Sequence, residues 1–551
     1  MTEKQVVALR FDLDALKHSM RFAFASDVTV VQELIQNARR AGATKVWVST
    51  GTSDSGEGVM TVADNGSGID DFQVLLHVAT SGWNEDTKKT EGPYGMGFLS
   101  AVYGAKHVEV VSRGKVLRME QELVLANGQF EVEDFDGSLA DSAVTAVTMR
   151  GVNVAKIASS IESMVQGYPI DVVLNGRVLK RPDALDGSYR KVGVGHIKRS
   201  NTQYAKGGAR VYLQGFRVNR DASRYDGGST DVVHLDSTMF HGKFPDRDVV
   251  INQADMLALV DADVRAMYVK SLLEAKKRLE PAAFMEAYQA LADSLGMLEV
   301  FNDLDVVPKC FLQEVVSMPH DTEYREFLAL GKEGEFFTRA ELETGRIVIG
   351  DLEPYTSEDD TDNTRRWVFA FAAGAWMIKY GMLDEQHWLH GLVKLHEESD
   401  VTLEAVGEYV RGPVDSRRLH CISGVEIVLC AGFKVGMGET SFILSGAVLN
   451  EGESNLYVPV LDGSPAYVGE DVIQQFSSYR WDDEFHEDER DQDEAALNQM
   501  VRELASDSPE EELAMSIEAA IASYSKVRSL ECTIKVTAEG KVEVLSMKQD
   551  G

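Results

Sequence analysis

The segment VVQELIQNARRAG, residues 30–42, sets Glu33 and Asn37 four positions apart, so a helix over about 28–41 projects both from one face. A carboxylate and a carboxamide stacked in this way can serve one magnesium-bound nucleotide. The carboxylate polarises an attacking water, and the amide oxygen joins the octahedral shell of the metal. Thirty residues on, VADNGSGID (62–70) is an apolar strand that delivers Asp64 into a turn. Gly66 and Gly68 permit positive φ and close backbone approach there. A carboxylate at such a strand end can accept a hydrogen bond from an exocyclic amine. A third segment, EGPYGMGFLSAVYGAKHVEVVSR (91–113), runs Gly92, Gly95 and Gly97 directly into an apolar helix and then a strand. Amides at a helix N-terminus carry partial positive charge that suits phosphate oxygens. Taken singly, each segment also reads as ordinary architecture: an amphipathic helix, an Asx-Gly turn, a glycine-rich helix start. The third lacks the GK[ST] ending of a P-loop and does not follow a first strand as a Rossmann loop does.

The order and spacing of the three are more specific than any one. ELIQNARRAGA resembles the N box of the GHKL ATPases (gyrase B, the ninety-kilodalton heat-shock chaperones, histidine kinases and MutL). DNGSG resembles their adenine-binding box, and GPYGMGFLSAVYGAKHVEVVSR is most similar to the heat-shock chaperone version. The resemblance covers residues 15–150. It implies a Bergerat-type ATP-binding α/β sandwich with ATP and Mg2+ as its ligands. Glu33 would then be the general base and Asn37 the metal ligand. Asp64 would bind the adenine amine, with Gly66 and Gly68 shaping the turn. Gly92, Tyr94, Gly95, Met96 and Gly97 would surround the phosphates, and residues 76–96 would form a lid. Thr145, in VTAVTM, takes the place of a family threonine near adenine, although Val144 stands where the family has glycine.

Residues 155–300 resemble the S5-like transducer domain that follows the ATPase domain in three of these branches. HGKFPDRDVVINQADML (241–257) is similar to the segment that sends a cation to the γ-phosphate, which makes Lys243 and Arg247 catalytic candidates. Ala254 stands where the heat-shock chaperones have an arginine. The histidine-kinase branch fits poorly, because about 25 residues precede the N box and His18 reads as structural.

With 551 residues, 44% hydrophobic and 26% charged, the chain is globular, and three or four domains are expected. The expected division is 1–152 (ATP-binding), 153–300 (transducer), 301–470 (mixed α/β) and 471–551 (acidic linker, helix and terminal hairpin). The fold class is therefore α/β multidomain. The net charge of −34 argues against a protein that coats nucleic acid. Residues 1–300 hold 34 basic and 39 acidic side chains, and residues 301–551 hold 21 and 50. Only residues 151–250, with 15 basic against 10 acidic, offer a face to a polyanion. Four cysteines without a CxxC pair exclude a disulfide framework and a metal knuckle. The longest apolar run, residues 367–378, is 12 long against about 20 for a bilayer span, and reads as a buried core helix within a helical segment at 365–382. The N-terminus lacks an apolar signal core, so a cytoplasmic protein with no membrane partner is expected.

Strands are expected at 45–50, 58–63, 107–112, 116–124 and 144–149, with a helix opening near 97. Beyond these, IDVVLNG, RVYLQGFRV and VVHLD read as strands, and residues 253–295 as a long helical stretch, which fits an α/β domain ending in helices. A strand-rich part covers 425–460. The block DDEFHEDERDQDE (482–494), nine acids and one Arg, reads as a solvated linker. A helix at 508–527 and a hairpin in CTIKVTAEGKVEVL follow.

These readings lead to an ATP hydrolase that closes its lid and pairs as a homodimer, acting as a conformational switch on a protein client in a chaperone-like way. The alternatives are a DNA-transaction ATPase of the MutL or topoisomerase type, with DNA as the less favoured partner, and a non-hydrolysing ATP-gated scaffold.

Overall fold

The computed structural model describes residues 27–77, 83, 97–139, 142–200, 203–219, 230–243, 249–318, 327–351, 364–395, 400–415, 417–419, 424–460, 468, 472, 487–521, 530–538 and 541–549. The chain divides into two compact units, Met1–Leu273 and Glu274–Gly551.

In the first unit, α1 (Asp27–Arg40) precedes β1 (Lys45–Thr52) and β2 (Gly58–Asp64). Then come α2 (Leu99–Gly104), β3 (His107–Ser112), β4 (Lys115–Glu120), α3 (Gln121–Leu125), β5 (Val132–Asp134) and β6 (Thr145–Arg150). Helix α4 (Val154–Met164) leads to β7 (Asp171–Leu174) and β8 (Arg177–Val178). The eight strands form one sheet in the order β5-β4-β3-β6-β2-β1-β7-β8. Only β1 and β7 pair in parallel. Alternation along the strands decides which side is covered. Val46 and Val48, Met60 and Val62, Val108 and Val110, and Val147 and Met149 all point to one face. There they join Val31, Leu34 and Ile35 of α1 and Ile157 and Ile161 of α4 in a single core. Helices on one face of a mostly antiparallel sheet make the α/β sandwich expected from the sequence. The turn between β3 and β4 holds Arg113 and Gly114 at φ 50° and 71°, the paired positive values of a tight hairpin.

A second sheet is built from β9 (Arg190–Val192), β10 (Gly195–Lys198), β11 (Arg210–Leu213), β12 (Phe216–Arg217) and β13 (Val232–Leu235). Its order is β12-β11-β13-β10-β9, with β11 and β13 parallel. Helix α5 (Gln253–Arg278) follows it, and α6 (Pro281–Leu295) comes next. The helical stretch expected over 253–295 is made of these two helices. Pro281, whose ring has no N–H to donate, opens the second, and Gly296 at φ 63° closes it.

The second unit continues with β14 (Val306–Pro308), β15 (Leu312–Val315), β16 (Leu328–Leu330), β17 (Phe336–Thr338), α7 (Arg339–Glu343), β18 (Ile349–Asp351), α8 (Thr364–Ala373) and β19 (Trp376–Ile378). The strands β20 (Val401–Val406) and β21 (Val410–Pro413) precede the strand-rich part expected over 425–460, which β22 (Glu426–Cys430), β23 (Gly432–Met437), β24 (Thr440–Leu444), β25 (Val448–Asn450) and β26 (Asn455–Pro459) fill. Helices α9 (Glu487–Ala505) and α10 (Pro509–Ile521) precede a hairpin of β27 (Leu530–Val536) and β28 (Val542–Gln549).

Three local expectations are corrected. The helical segment at 365–382 stops at Ala373, because Gly374 turns left-handed at φ 60° and the chain continues as β19. The apolar run is largely buried, but only its first part, to Ala373, is helix, and Trp376–Ile378 is strand. The strand expected over 116–124 ends at Glu120. Gln121 then opens α3, its side-chain amide donating to the carbonyls of Val102 and Tyr103 at 3.1 and 2.7 Å and so satisfying the end of α2. The acidic block read as a linker is helical from Glu487 onward. Leu497, Met500, Val501 and Leu504 recur at helical spacing and bury against β21, β22 and β26, and Asp493 is drawn under with them at 1% exposure. No helix among the described residues is long and apolar enough to cross a membrane.

Candidate nucleotide site

The alternation that builds the core also places the polar residues. On β2, Met60, Val62 and Asp64 share the helix-covered face, so the third inward position of an otherwise apolar strand is a carboxylate. Asp64 lies opposite Thr145 of β6, and Thr145 lies opposite Ser112 of β3. Three adjacent strands therefore end in a row of buried polar side chains: Asp64, Thr145 and Ser112 are 9%, 7% and 0% exposed. The hydroxyls of Ser112 and Thr145 are 3.0 Å apart. Burial pushes the Asp64 carboxyl up, and the Gly66 N–H, donating to Oδ1 at 2.8 Å, holds part of that rise back. A carboxylate buried at a strand end with its ionisation shifted by burial is a functional-site candidate.

The turn after β2 is fastened on three sides. Ser67 N–H donates to the Ala41 carbonyl at 2.8 Å, Ile69 N–H to Ser112 Oγ at 2.9 Å, and Val144 N–H to the Asp64 carbonyl at 2.7 Å. Asn65 Oδ1 accepts from the amides of Thr44 and Lys45 at 2.9 and 3.0 Å, which joins the turn to the start of β1. Gly68 has φ 81°, and a Cβ there would lie 2.8 Å from Arg113 Nε and 3.0 Å from Val144 Cγ1. Arg113 caps the turn by donating to the Ser67 carbonyl and pairing with Asp70.

Helix α1 packs on the same sheet and carries Glu33. Glu33 is 5% exposed, and Asn37, one turn later, is half-buried. A Cβ at Gly97 would stand 3.1 Å from Glu33 Cδ and nearer still to Oε2, so the chain before α2 passes directly over the carboxylate. Arg40 Nη1 lies 3.4 Å from Asn37 Oδ1. Helix α1 is also held by residues from later in the unit. Tyr168 OH donates to the Ile35 carbonyl at 2.7 Å, and Gln36 Nε2 donates to Gln214 Oε1 at 2.5 Å. Gln214 sits at φ 54° in the turn between β11 and β12 of the second sheet.

Of the residues singled out in the sequence, Glu33 and Gly97 are in contact, Gly66 and Asp64 are hydrogen-bonded, and Asp64 and Thr145 are paired in register. Lys243 is exposed in a bridged segment, its N–H donating to the Val249 carbonyl at 2.7 Å. Gly92, Tyr94, Gly95, Met96 and Arg247 lie outside the described residues, as does most of the expected lid. Sequence reasoning did not single out Ser112, Arg113 or Asn65. Ser112 was within reach, since it is the next inward position after Val108 and Val110.

For a magnesium ion the donor set is sparse. Among the described residues no three His, Cys, Asp or Glu side chains gather as a metal group. The half-buried Asn37 oxygen one turn from Glu33 suits a small hard ion that takes one or two protein oxygens and fills its shell with phosphate and water.

Residues 25–134 match a family model described as histidine kinase-, DNA gyrase B-, and HSP90-like ATPase. The N-terminal sandwich is thus a GHKL-type ATPase domain, as the three motifs implied. No curated protein matches the chain. A solved structure titled as the N-terminal domain of a DNA repair protein is similar over 48% of this chain and 99% of its own, at 14% identity and a TM-score of 0.30.

Proposed function

We propose that the chain is a magnesium-dependent ATP hydrolase whose nucleotide cycle drives a conformational switch. The observation that carries this reading is the buried Glu33 carboxylate under Gly97, on a helix one turn from Asn37 and in the same sandwich as the buried Asp64. In this reading Asp64 accepts from the adenine amine, with Thr145 and Ser112 completing the polar row and Gly66 and Gly68 letting the base approach the main chain. Gly92, Tyr94, Gly95, Met96 and Gly97 surround the phosphates. Glu33 takes a proton from the attacking water. Asn37 would hold Mg2+, which when bound neutralises phosphate charge. Lys243 and Arg247 are the candidates for meeting the γ-phosphate.

Helix α1 is held at Ile35 and Gln36 by Tyr168 and by the second sheet, so a shift of the helix on nucleotide binding would be transmitted to that sheet. That supports a switch rather than a bare hydrolase, and a homodimer closing on ATP fits it. With a net charge of −34, a protein client is favoured over a polyanion. The division into ATP-binding, transducer and C-terminal regions at 1–152, 153–300, 301–470 and 471–551 belongs to the same proposal.

The test is ATP binding and steady-state hydrolysis by wild type, Glu33→Ala and Asp64→Asn. The expected result is that Asp64→Asn loses binding, whereas Glu33→Ala binds ATP without turnover. Wild-type turnover in Glu33→Ala would remove Glu33 as the base, and a wild type that binds no ATP would overturn the whole reading.

A further inference from the structure

A cavity of about 430 Å3 lies in the first unit, walled by α1 (Gln32), the end of α4 (Ser163, Met164), and β11 and β12 of the second sheet (Arg210, Phe216, Arg217). None of the residues assigned to the nucleotide lines it. Glu33, the residue after Gln32, lies against Gly97 instead. The walls divide into an apolar and a polar part. Phe216 and Met164 are buried, and the Phe216 ring is set against Tyr168 with centroids 5.1 Å apart. Gln32 is a carboxamide at 7% exposure. Arg210 Nη2 donates to the buried Asp183 carboxylate at 3.0 Å, and Tyr212 OH donates to the other oxygen of Asp183 at 2.6 Å. Arg210 Nε is buried as well but has no hydrogen-bond partner. Leaving a buried donor unmet costs free energy that an acceptor in the cavity would return. Arg217 brings a second guanidinium to the same cavity.

We infer that this cavity is a second ligand site, which takes a small organic phosphate monoester. Arg210 Nε and the Arg217 guanidinium hold the phosphate, and the apolar body of the ligand lies on Phe216 and Met164. A guanidinium fork suits carboxylate and phosphate alike. Two of them on one head group favour phosphate, which offers three strong acceptor oxygens beyond its ester link. The volume falls within the roughly 300–1,000 Å3 of small-molecule sites and leaves room beyond a bare phosphate. The walls also have the make-up of such a site, an apolar surface with a few placed polar groups. A bound ligand touches α1 and the second sheet at once, near the bond from Gln36 to Gln214, and so fastens the helix that carries Glu33 to that sheet. Binding here does not depend on the ATPase reading.

The test is titration calorimetry of the full chain without nucleotide, with phenyl phosphate, inorganic phosphate and phenol as probes. Phenyl phosphate is expected to bind, inorganic phosphate to bind about tenfold or more weakly, because it leaves the apolar wall uncovered, and phenol to give no measurable heat. Arg210 is kept in every variant, since its loss would strand the buried Asp183. Arg217→Gln is expected to weaken phenyl phosphate by about tenfold or more. Ser163→Glu, at an exposed position of α4 that lines the cavity, sets a carboxylate against the phosphate and is expected to do the same with an unchanged unfolding midpoint. Lys191→Gln, an exposed cation of β9 that does not line the cavity, should bind as wild type does. So should Asp64→Asn, which separates this site from the fate of the ATPase reading. A wild type that binds no phenyl phosphate, full binding by a folded Ser163→Glu protein, equal weakening by Lys191→Gln and Arg217→Gln, or binding lost in Asp64→Asn would overturn the inference.

Discussion

Gly97→Ala tests whether the chain above Glu33 belongs to the reacting site. The added methyl would stand 3.1 Å from Glu33 Cδ and 3.6 Å from Cγ, with Oε2 closer than either. Ordinary carbon contacts need roughly 3.5–4 Å, so something must move. The obstructing atom ends a flexible side chain, which makes displacement of the carboxylate by about an ångström the least costly response. A misplacement of that size costs about 10²-fold in rate, or ~2.7 kcal/mol of barrier. Folding should change by no more than ~1 kcal/mol. Gly66→Ala is the contrast. Its methyl would meet Ala41 Cβ at 2.8 Å and the Ala41 carbonyl oxygen at 2.9 Å, atoms that cannot swing aside. It should therefore cost ~1–3 kcal/mol of stability. The assays are turnover at saturating ATP and urea unfolding of both variants. Wild-type turnover in a stable Gly97→Ala protein would refute the argument, because Glu33 would then tolerate displacement and could not be the positioned base.

Three further outcomes are expected. The Asp64 carboxyl is raised by burial, so its ionisation opposes folding; stability is fully present below the ordinary carboxylate range and falls as pH rises through the folded value. Asp64→Asn, measured by thermal unfolding across that range, should remove this fall while abolishing ATP binding. His387, 1% exposed, is held down to about 4 by burial and by neighbouring His390, so stability should be lost as pH drops from 6.5 towards 4, and His387→Phe should flatten that part of the pH–stability curve. Leu497→Ala should cost ~2–5 kcal/mol in urea unfolding of the second unit, because Leu497 is fully buried in the core under α9; no change would return the acidic block to a solvated linker.

The sequence by itself determined the ATPase family of the N-terminal region and the elements that carry its motifs. Helix spacing put Glu33 and Asn37 on one face, and strand alternation ended β2 in Asp64, because both periods are local properties of the backbone. Local signals also decided the close of the chain, where charges alternate with apolar residues along β27 and β28. Tertiary structure alone decided what meets across the sheet. Ser112 joined Thr145 and Asp64 because β3, β6 and β2 are neighbours although 33 residues separate Ser112 from Thr145. Gln214 reached Gln36 across 178 residues. The acidic block is helical from Glu487 because Leu497, Met500 and Val501 found a sheet to cover, and burial of an apolar stripe outweighed like-charge repulsion on the wet side. Pairings between distant strands and the burial that follows from them depend on the whole chain, and no window of sequence contains them.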